Sequence, residues 1–280
     1  PDEEAPRLLV GPLLRHVTET SATVFVETDR ACTVEVLGTR TPTFHVAGHH
    51  YALVIVEGLA PSSIVEYEVH LDGSRQWPPA DSALPPSCIR TLGHDRPTRV
   101  LFGSCRAAVP HRPPFTLSHT AHPEGRGVDS MRAHGRRMLR QTPEQWPDLL
   151  VLLGDQVYAD EPSPRIRARM RHRRAARRER ADARPDHVVG GFEHYTWLYQ
   201  EAWRPEIERW LLSVVPSAMI FDDHDMIDDW NISATWVRDI RREPWWEEHV
   251  LGALVSYWIY QHLGNLTPAQ VRDEGLLAQL

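Results

Sequence analysis

Alternation of apolar and polar residues dominates the first third of the chain. Ala22-Thr23-Val24-Phe25-Val26-Glu27 and Cys32-Thr33-Val34-Glu35-Val36 repeat with period two. Val65-Glu66-Tyr67-Glu68-Val69-His70-Leu71 does the same, with Glu66, Glu68 and His70 on the face opposite the apolar residues. The turn pairs Leu37-Gly38, Ala47-Gly48 and Asp72-Gly73 recur between such runs. Short alternating strands without a helical period predict a small all-β sandwich. The stretch Gly93-His94-Asp95-Arg96-Pro97 reads as a boundary, giving a β-sandwich over residues 1–95 and a second domain over 96–280.

The pattern then changes. Thr98-Arg99-Val100-Leu101-Phe102-Gly103 is an apolar strand, Val128 to Gln141 has a helical pattern, and Leu149-Leu150-Val151-Leu152-Leu153-Gly154 is a second strand. Strand, helix and strand at this spacing form a βαβ unit with parallel, neighbouring strands, so Cys105 and Asp155 project from one edge of one sheet. Helices follow over Phe192 to Trp203 and Pro205 to Leu212, and Pro216 to Phe221 is a third strand running into Asp222-Asp223-His224-Asp225. A long apolar helix from Trp245 to about Leu263 reads as a packing element. The predicted fold class is therefore all-β followed by α/β.

With 280 residues, 41% of them hydrophobic, the chain is long enough for two domains with separate cores. No run approaches the roughly 18 to 20 apolar residues of a membrane span. The chain begins at Pro1 without a basic-then-apolar leader, which favours a cytoplasmic location. A net charge of −7 argues against coating nucleic acid, which enters only as a conceivable substrate. There is no lysine, so a phosphate clamp must use bidentate guanidinium groups. The run from Arg165 to Arg178 has helix propensity and no apolar stripe. It is either a solvated insertion or lid, or a recruiter of anionic substrates. His45, His49 and His50 read as surface histidines beside a turn. Cys32, Cys88 and Cys105 form no CxxC pair.

Three strand ends thus carry the chemistry: Cys105, Asp155 with Tyr158, and Asp223 with His224. Asp155 alone is a helix cap or a ligand, and the acids after Phe221 are a solvated loop or a cation site. Taken together they make a mixed sulfur, oxygen and nitrogen donor set. Thiolate and tyrosinate suit trivalent iron, while the remaining oxygens suit a harder divalent ion. Two metals about 3.5 to 4 Å apart, with Asp155 as the candidate bridge, can hold a hydroxide for in-line attack on a phosphate ester. His224 would neutralise a phosphate oxygen or protonate the leaving alkoxide. Two readings compete: a non-catalytic binding or scaffold protein in which the sandwich does the work, and nucleophilic catalysis by Ser104 or Cys105.

Phe102-Gly103-Ser104-Cys105, Gly154-Asp155-Gln156-Val157-Tyr158-Ala159-Asp160 and Phe221-Asp222-Asp223-His224-Asp225 resemble, in order, three motifs of the PhoD-like alkaline phosphatases. Gly58-Leu59-Ala60-Pro61 resembles the approach to the tyrosine corner of fibronectin type III modules, with Val65 in the corner position. The resemblance implies a four-layer α/β/β/α metallophosphoesterase core after an Ig- or fibronectin-like domain. It implies ferric iron on Cys105 and Tyr158, Asp155 bridging to calcium or another divalent metal, and Asp223 on the second metal. His224 is implied to contact the phosphoryl group of a phosphomonoester or phosphodiester. The chain has Asp225 where the family motif commonly has glutamate. After His224 it offers only His249 and His262, in or next to a helix, where the family fold supplies further histidine ligands from strand ends. The sequence therefore predicts a C-terminally truncated domain with an incomplete metal site.

Overall fold

The computed structural model describes residues 5–93, 97–177 and 184–273. Ten short strands come first: β1 (Leu8–Val17), β2 (Ser21–Thr28), β3 (Thr33–Val36), β4 (Thr39–Pro42), β5 (Phe44–Val46), β6 (His49–Glu57), β7 (Ile64–Glu66), β8 (Val69–Leu71), β9 (Ser74–Trp77) and β10 (Cys88–Arg90). They form antiparallel sheets ordered β1-β2-β6-β5 and β4-β3-β8-β9, with β7 and β10 as a separate pair. The run from Val65 to Leu71, predicted as one strand, is two. β7 pairs with β10 and β8 pairs with β3, so the chain changes sheets at Tyr67 and Glu68. The alternation survives the break, with Tyr67, Val69 and Leu71 buried and Glu66 and Glu68 exposed.

β2 departs from the expected one-sided burial: all eight of its residues are buried, Thr23 and Glu27 included. Its second face is covered by the rest of the chain. Glu27 accepts from the Tyr260 hydroxyl at 2.8 Å and lies 3.1 Å from His49 Nδ1, and Tyr51 and Tyr260 hydroxyls meet at 3.2 Å. Polar residues on that face are thus partners at an internal interface rather than solvent contacts.

His49 is the exception among the three histidines read as surface groups. Its ring bridges Glu27 and Glu193, each at 3.1 Å, and its side chain is 13% exposed. Burial works to lower its pKa, but hydrogen bonds to Glu193 and Glu27 outweigh that and raise it to about 9. Because the folded value lies above the ordinary 6.5, the bridge stabilises fully below pH 6.5 and is lost as pH rises through 9. The stability of the protein is expected to fall by roughly 2–3 kcal/mol between pH 7 and pH 10 through this group. His49→Gln should start lower and lack that decline. Denaturant unfolding at several pH values checks it, and identical profiles for the two proteins would contradict the bridge.

The second part opens with β11 (Val100–Gly103), α1 (Ser130–Met138) and β12 (Leu149–Leu152). It continues through α2 (Pro164–Arg177), α3 (Phe192–Trp203), α4 (Glu206–Val214) and β13 (Ser217–Met219), then α5 (Ala234–Ile240), α6 (Trp246–Tyr257) and α7 (Pro268–Asp273). β11, β12 and β13 form a parallel sheet in that order, in register Val100↔Leu149 and Leu150↔Ser217. All three strands therefore end on one edge, as the βαβ reading requires. A buried pair between Arg90 and Asp148 (3.2 Å) fastens β10 to the start of β12.

α2 covers much of the arginine run; residues 178–183 lie outside the described part. The helix does have a small apolar stripe, because Ile166 and Met170, one turn apart, are both buried. Arg169 stacks 3.8 Å above Trp197 and Arg173 pairs with Glu193 at 2.9 Å, so part of the run is structural. The helix predicted from Trp245 to about Leu263 is α6 followed by a π-helical turn, Trp258–His262, and a 3₁₀ turn, Leu263–Asn265. That widening turns both Tyr260 and Gln261 into the interior.

One face of the parallel sheet is open. Val100, Phe102, Leu153 and Ile220, all large and apolar, are exposed, with Phe102 at 69%. Parallel sheets are otherwise covered on both faces, so this surface has the character of an interior one.

Candidate functional site

The turns after β12 and β13 are braced by one carboxylate. Asp225, itself 1% exposed, accepts from the backbone N–H of Asp155 at 3.2 Å and of Asp222 at 3.0 Å. Gln261 Nε2 donates to its other oxygen at 3.0 Å. Burial pushes the Asp225 carboxyl up to about 7 in spite of these donors. Cys105 (φ 58°) and Asp155 (φ 53°) both occupy the left-handed backbone region, and Gly154 between strand and turn has φ 102°. Side chains held in that region are strained, and such strain concentrates at functional positions. Gly154 also lets β12 approach the third turn, since a Cβ there would lie 2.4 Å from that of Asp222.

This arrangement brings the predicted residues together. Asp155 Oδ1 accepts from the His224 N–H at 3.2 Å, and Cys105 lies within hydrogen-bonding reach of Asp155. Carboxylate oxygens of Asp155, Asp222 and Asp223 lie within 4.8 Å of one another. The groups press on each other electrostatically. Burial chiefly, then the charges of Asp222 and Asp223, raise the Asp155 carboxyl. The Tyr158 hydroxyl is raised by burial and by Asp155 and Cys105. At Cys105, a hydrogen bond with Ser104 favours the thiolate, yet Asp155, burial and Asp222 together raise the thiol. Anionic donors that resist ionising next to one another are the donor set a cation would satisfy, so these residues fit a metal centre. A raised thiol is the opposite of what a nucleophilic cysteine needs, which weakens the reading of Cys105 as the attacking group.

His224 stands beside this cluster. Its Nδ1 lies 3.0 Å from Asp160 Oδ2, and its ring packs 4.5 Å from that of Tyr158. Asp160 also accepts from the Asp228 N–H at 2.8 Å, which fixes it in place. Burial alone would lower the imidazole pKa, but Asp160 and then the charges of Asp155 and Asp228 raise it above its ordinary value. Nδ1 faces Asp160, while Nε2 lies 3.8 Å from the exposed Asp228 carboxylate and is the ring nitrogen that a substrate could reach.

A cavity of about 810 Å³ opens next to Cys105, Tyr158 and Asp160, with Arg126, Arg167 and His187 on its wall. The segment lining it near Arg106 is anchored: Arg106 pairs with Asp129 at 2.9 Å, and His111 Nε2 lies 2.8 Å from the buried Glu208 carboxylate. Arg132 also reaches Glu208 at 3.4 Å, so guanidinium groups already neutralise the carboxylates there.

Sequence reasoning missed Asp222 as a third carboxylate of the cluster, and Asp160, Asp225 and Gln261 as its supports. Asp160 and Asp225 sit inside the motifs, where their spacing to Tyr158 and His224 was a usable signal. Gln261 carried none, since its role depends on the π-helical turn.

Residues 128–267 match the PhoD-like phosphatase family. The chain belongs to that family. Residues 5–89 match a domain of unknown function, DUF7800. A solved structure described as "Structure of PhoD" superposes with a TM-score of 0.53 at 13% identity, covering 96% of this chain and 48% of that one. At that identity the likeness speaks for the fold, and it extends through both the β-rich part and the mixed α/β part. The chain thus spans about half the length of that PhoD structure. No curated protein matches the chain.

Proposed function

We propose that the protein is a metal-dependent hydrolase of phosphate esters, acting on monoesters and diesters through two metal ions. The observation that carries this is the convergence, on the ends of three parallel strands, of Cys105, Asp155, Tyr158, Asp222 and Asp223 beside a histidine oriented by Asp160. Cys105, Asp155 and Tyr158 would hold ferric iron, and Asp155, Asp223 and Asp222 a second ion, calcium or another divalent metal. Bound there, the ions would supply Lewis-acid charge and a water of lowered pKa at the phosphorus.

The chain's own residues do the rest. Asp160 orients the His224 ring through Nδ1, and Nε2, beside the exposed Asp228 carboxylate, would offer a proton to a phosphoryl oxygen or the leaving alkoxide. Asp160 raises the imidazole pKa and so favours the protonated ring. The adjoining cavity takes the ester's organic portion, with Arg126 and Arg167 as its cationic wall. The competing reading, a scaffold that works through its sandwich, fits less well because the outer face of β2 is taken up by the interior contact with Tyr260.

Iron gives a direct test. The iron-loaded protein is expected to absorb visible light through a tyrosinate charge-transfer band, to be lost in Tyr158→Phe and kept in Asp223→Asn. Iron content by elemental analysis accompanies the spectra. Colour that survives Tyr158→Phe, or a protein that takes up no iron, contradicts the assignment.

A further inference from the structure

Arg15 is a buried guanidinium. It lies in the second half of β1, in the sandwich, and is 1% exposed. Among the described residues its hydrogen-bond partners are all neutral: the carbonyls of Ser217 (3.0 Å), Tyr260 (2.8 Å) and Gln261 (2.7 Å), and Asn265 Oδ1 (2.9 Å). Burying a guanidinium without a carboxylate is costly, and an apolar side chain would serve packing as well or better. What an apolar side chain cannot do is fix several acceptors from separate segments at once, which a rigid five-donor fork does.

Those acceptors lead to the site. Gln261, held through its carbonyl by Arg15, donates from Nε2 to Asp225. Asp225 in turn holds the backbone N–H groups of Asp155 and Asp222. Asn265, held through its side chain by Arg15, exchanges two hydrogen bonds with the backbone of Met219 at the end of β13, at 3.0 and 2.6 Å. Gly264 makes room for the fork, because a Cβ there would come within 2.5 Å of the Arg15 Cζ. Every link is a side chain or a backbone group fixed at both ends, from the sandwich to the two turns that carry the carboxylates.

We propose that the β-sandwich, through Arg15 and Gln261, sets the position of the turns bearing Asp155 and Asp222, so that Arg15 and Gln261 are positioning residues of the site. This assigns the N-terminal domain a part in the site's geometry rather than a separate binding role. It rests on the hydrolase reading above for its kinetic consequence, though not for its structural one.

Three variants of the whole chain test it: Gln261→Met, which keeps volume and removes the donor; Arg15→Met; and Gly264→Ala, which leaves Arg15 intact but displaces it. Amide hydrogen exchange at Asp155 and Asp222 is expected to speed up at least tenfold in each, with the exchange of β2 unchanged. Calcium affinity, by titration of the ion alone, and kcat for p-nitrophenyl phosphate should each fall roughly 10- to 100-fold, while KM stays within about twofold. The Arg15→Met/Gln261→Met double variant should lose no more than the worse single one, because both act through one path. Arg15→Lys, which retains donors and charge, should recover part of the loss. Unchanged exchange at both amides in Gln261→Met, or losses that multiply in the double variant, would overturn the proposal. Should Arg15→Met fail to fold, Gln261→Met and Gly264→Ala still decide it. Should the wild-type protein bind no calcium and turn over no ester, the hydrolase reading fails, and the exchange rates alone decide the positioning.

Discussion

Replacing Asp155 by asparagine is expected to cut phosphate-ester turnover roughly a thousandfold, the loss of about 4 kcal/mol of transition-state stabilisation. The same change should leave the fold intact. An asparagine Oδ1 can still accept from the His224 N–H, and the Asp155 N–H donated to Asp225 is backbone and unaffected. The sign of the stability effect follows from the raised carboxyl pKa, which arises first from burial and then from Asp222 and Asp223. A carboxyl whose folded pKa lies above its unfolded value opposes folding once pH is high enough to ionise it. Metal-free Asp155→Asn should therefore be at least as stable as the metal-free wild type at neutral pH. With metal the order reverses, because ions that bind only the folded wild type raise its melting temperature and leave that of the variant unchanged. Thermal melts with and without added metal, alongside initial rates, measure both halves. A variant that matches wild type in turnover and still gains melting temperature with metal contradicts the bridging role.

Gly154→Ala should be nearly as damaging to activity, for a different reason. Its φ of 102° is open to glycine and strained for alanine, and the new methyl would fall 2.4 Å from the Asp222 Cβ and 2.9 Å from its Oδ2. The conformational strain amounts to about 1–2 kcal/mol and the steric overlap to about 1–3 more. Relief comes only by separating the second and third turns, which carry Asp155 and Asp222. A displacement near 1 Å there can cost roughly 100-fold in rate. Gly103 is the matched control: it ends the neighbouring strand β11 with nothing within 4 Å of an added methyl and no left-handed φ. Gly103→Ala should retain activity within about twofold and stability within about 0.5 kcal/mol. Equal losses in the two variants would show that the close approach at Gly154 does not hold the site together.

The ingredients of the site were legible because they lie at strand ends, where a short apolar run announces its own termination. Cys105, Asp155, Tyr158, Asp223 and His224 each follow such a run within a few residues, and the βαβ spacing was enough to put the first two on one edge. What the sequence concealed depends on contacts between distant segments. The polar face of β2 looked solvent-facing because nothing near Glu27 in the chain announces that Tyr260, 233 residues away, will cover it. His49 looked like a surface group for the same reason, its second carboxylate coming from α3. Nothing near Arg15 in the chain marks it out, yet it is buried against the carbonyls of a π-helical turn that no local periodicity announces. Asp225 matched a motif position without revealing that it is a brace, since its partners are backbone amides on two different turns.

This cluster is expected to hydrolyse phosphate esters by means of metal. Initial-rate turnover of bis-p-nitrophenyl phosphate and p-nitrophenyl phosphate by chelator-stripped protein, before and after iron and calcium are restored, tests it most directly. The expected result is negligible turnover in the stripped protein, recovery when both ions are returned, and no recovery in Asp155→Asn. Equal turnover with and without metal, or full recovery in Asp155→Asn, would contradict it.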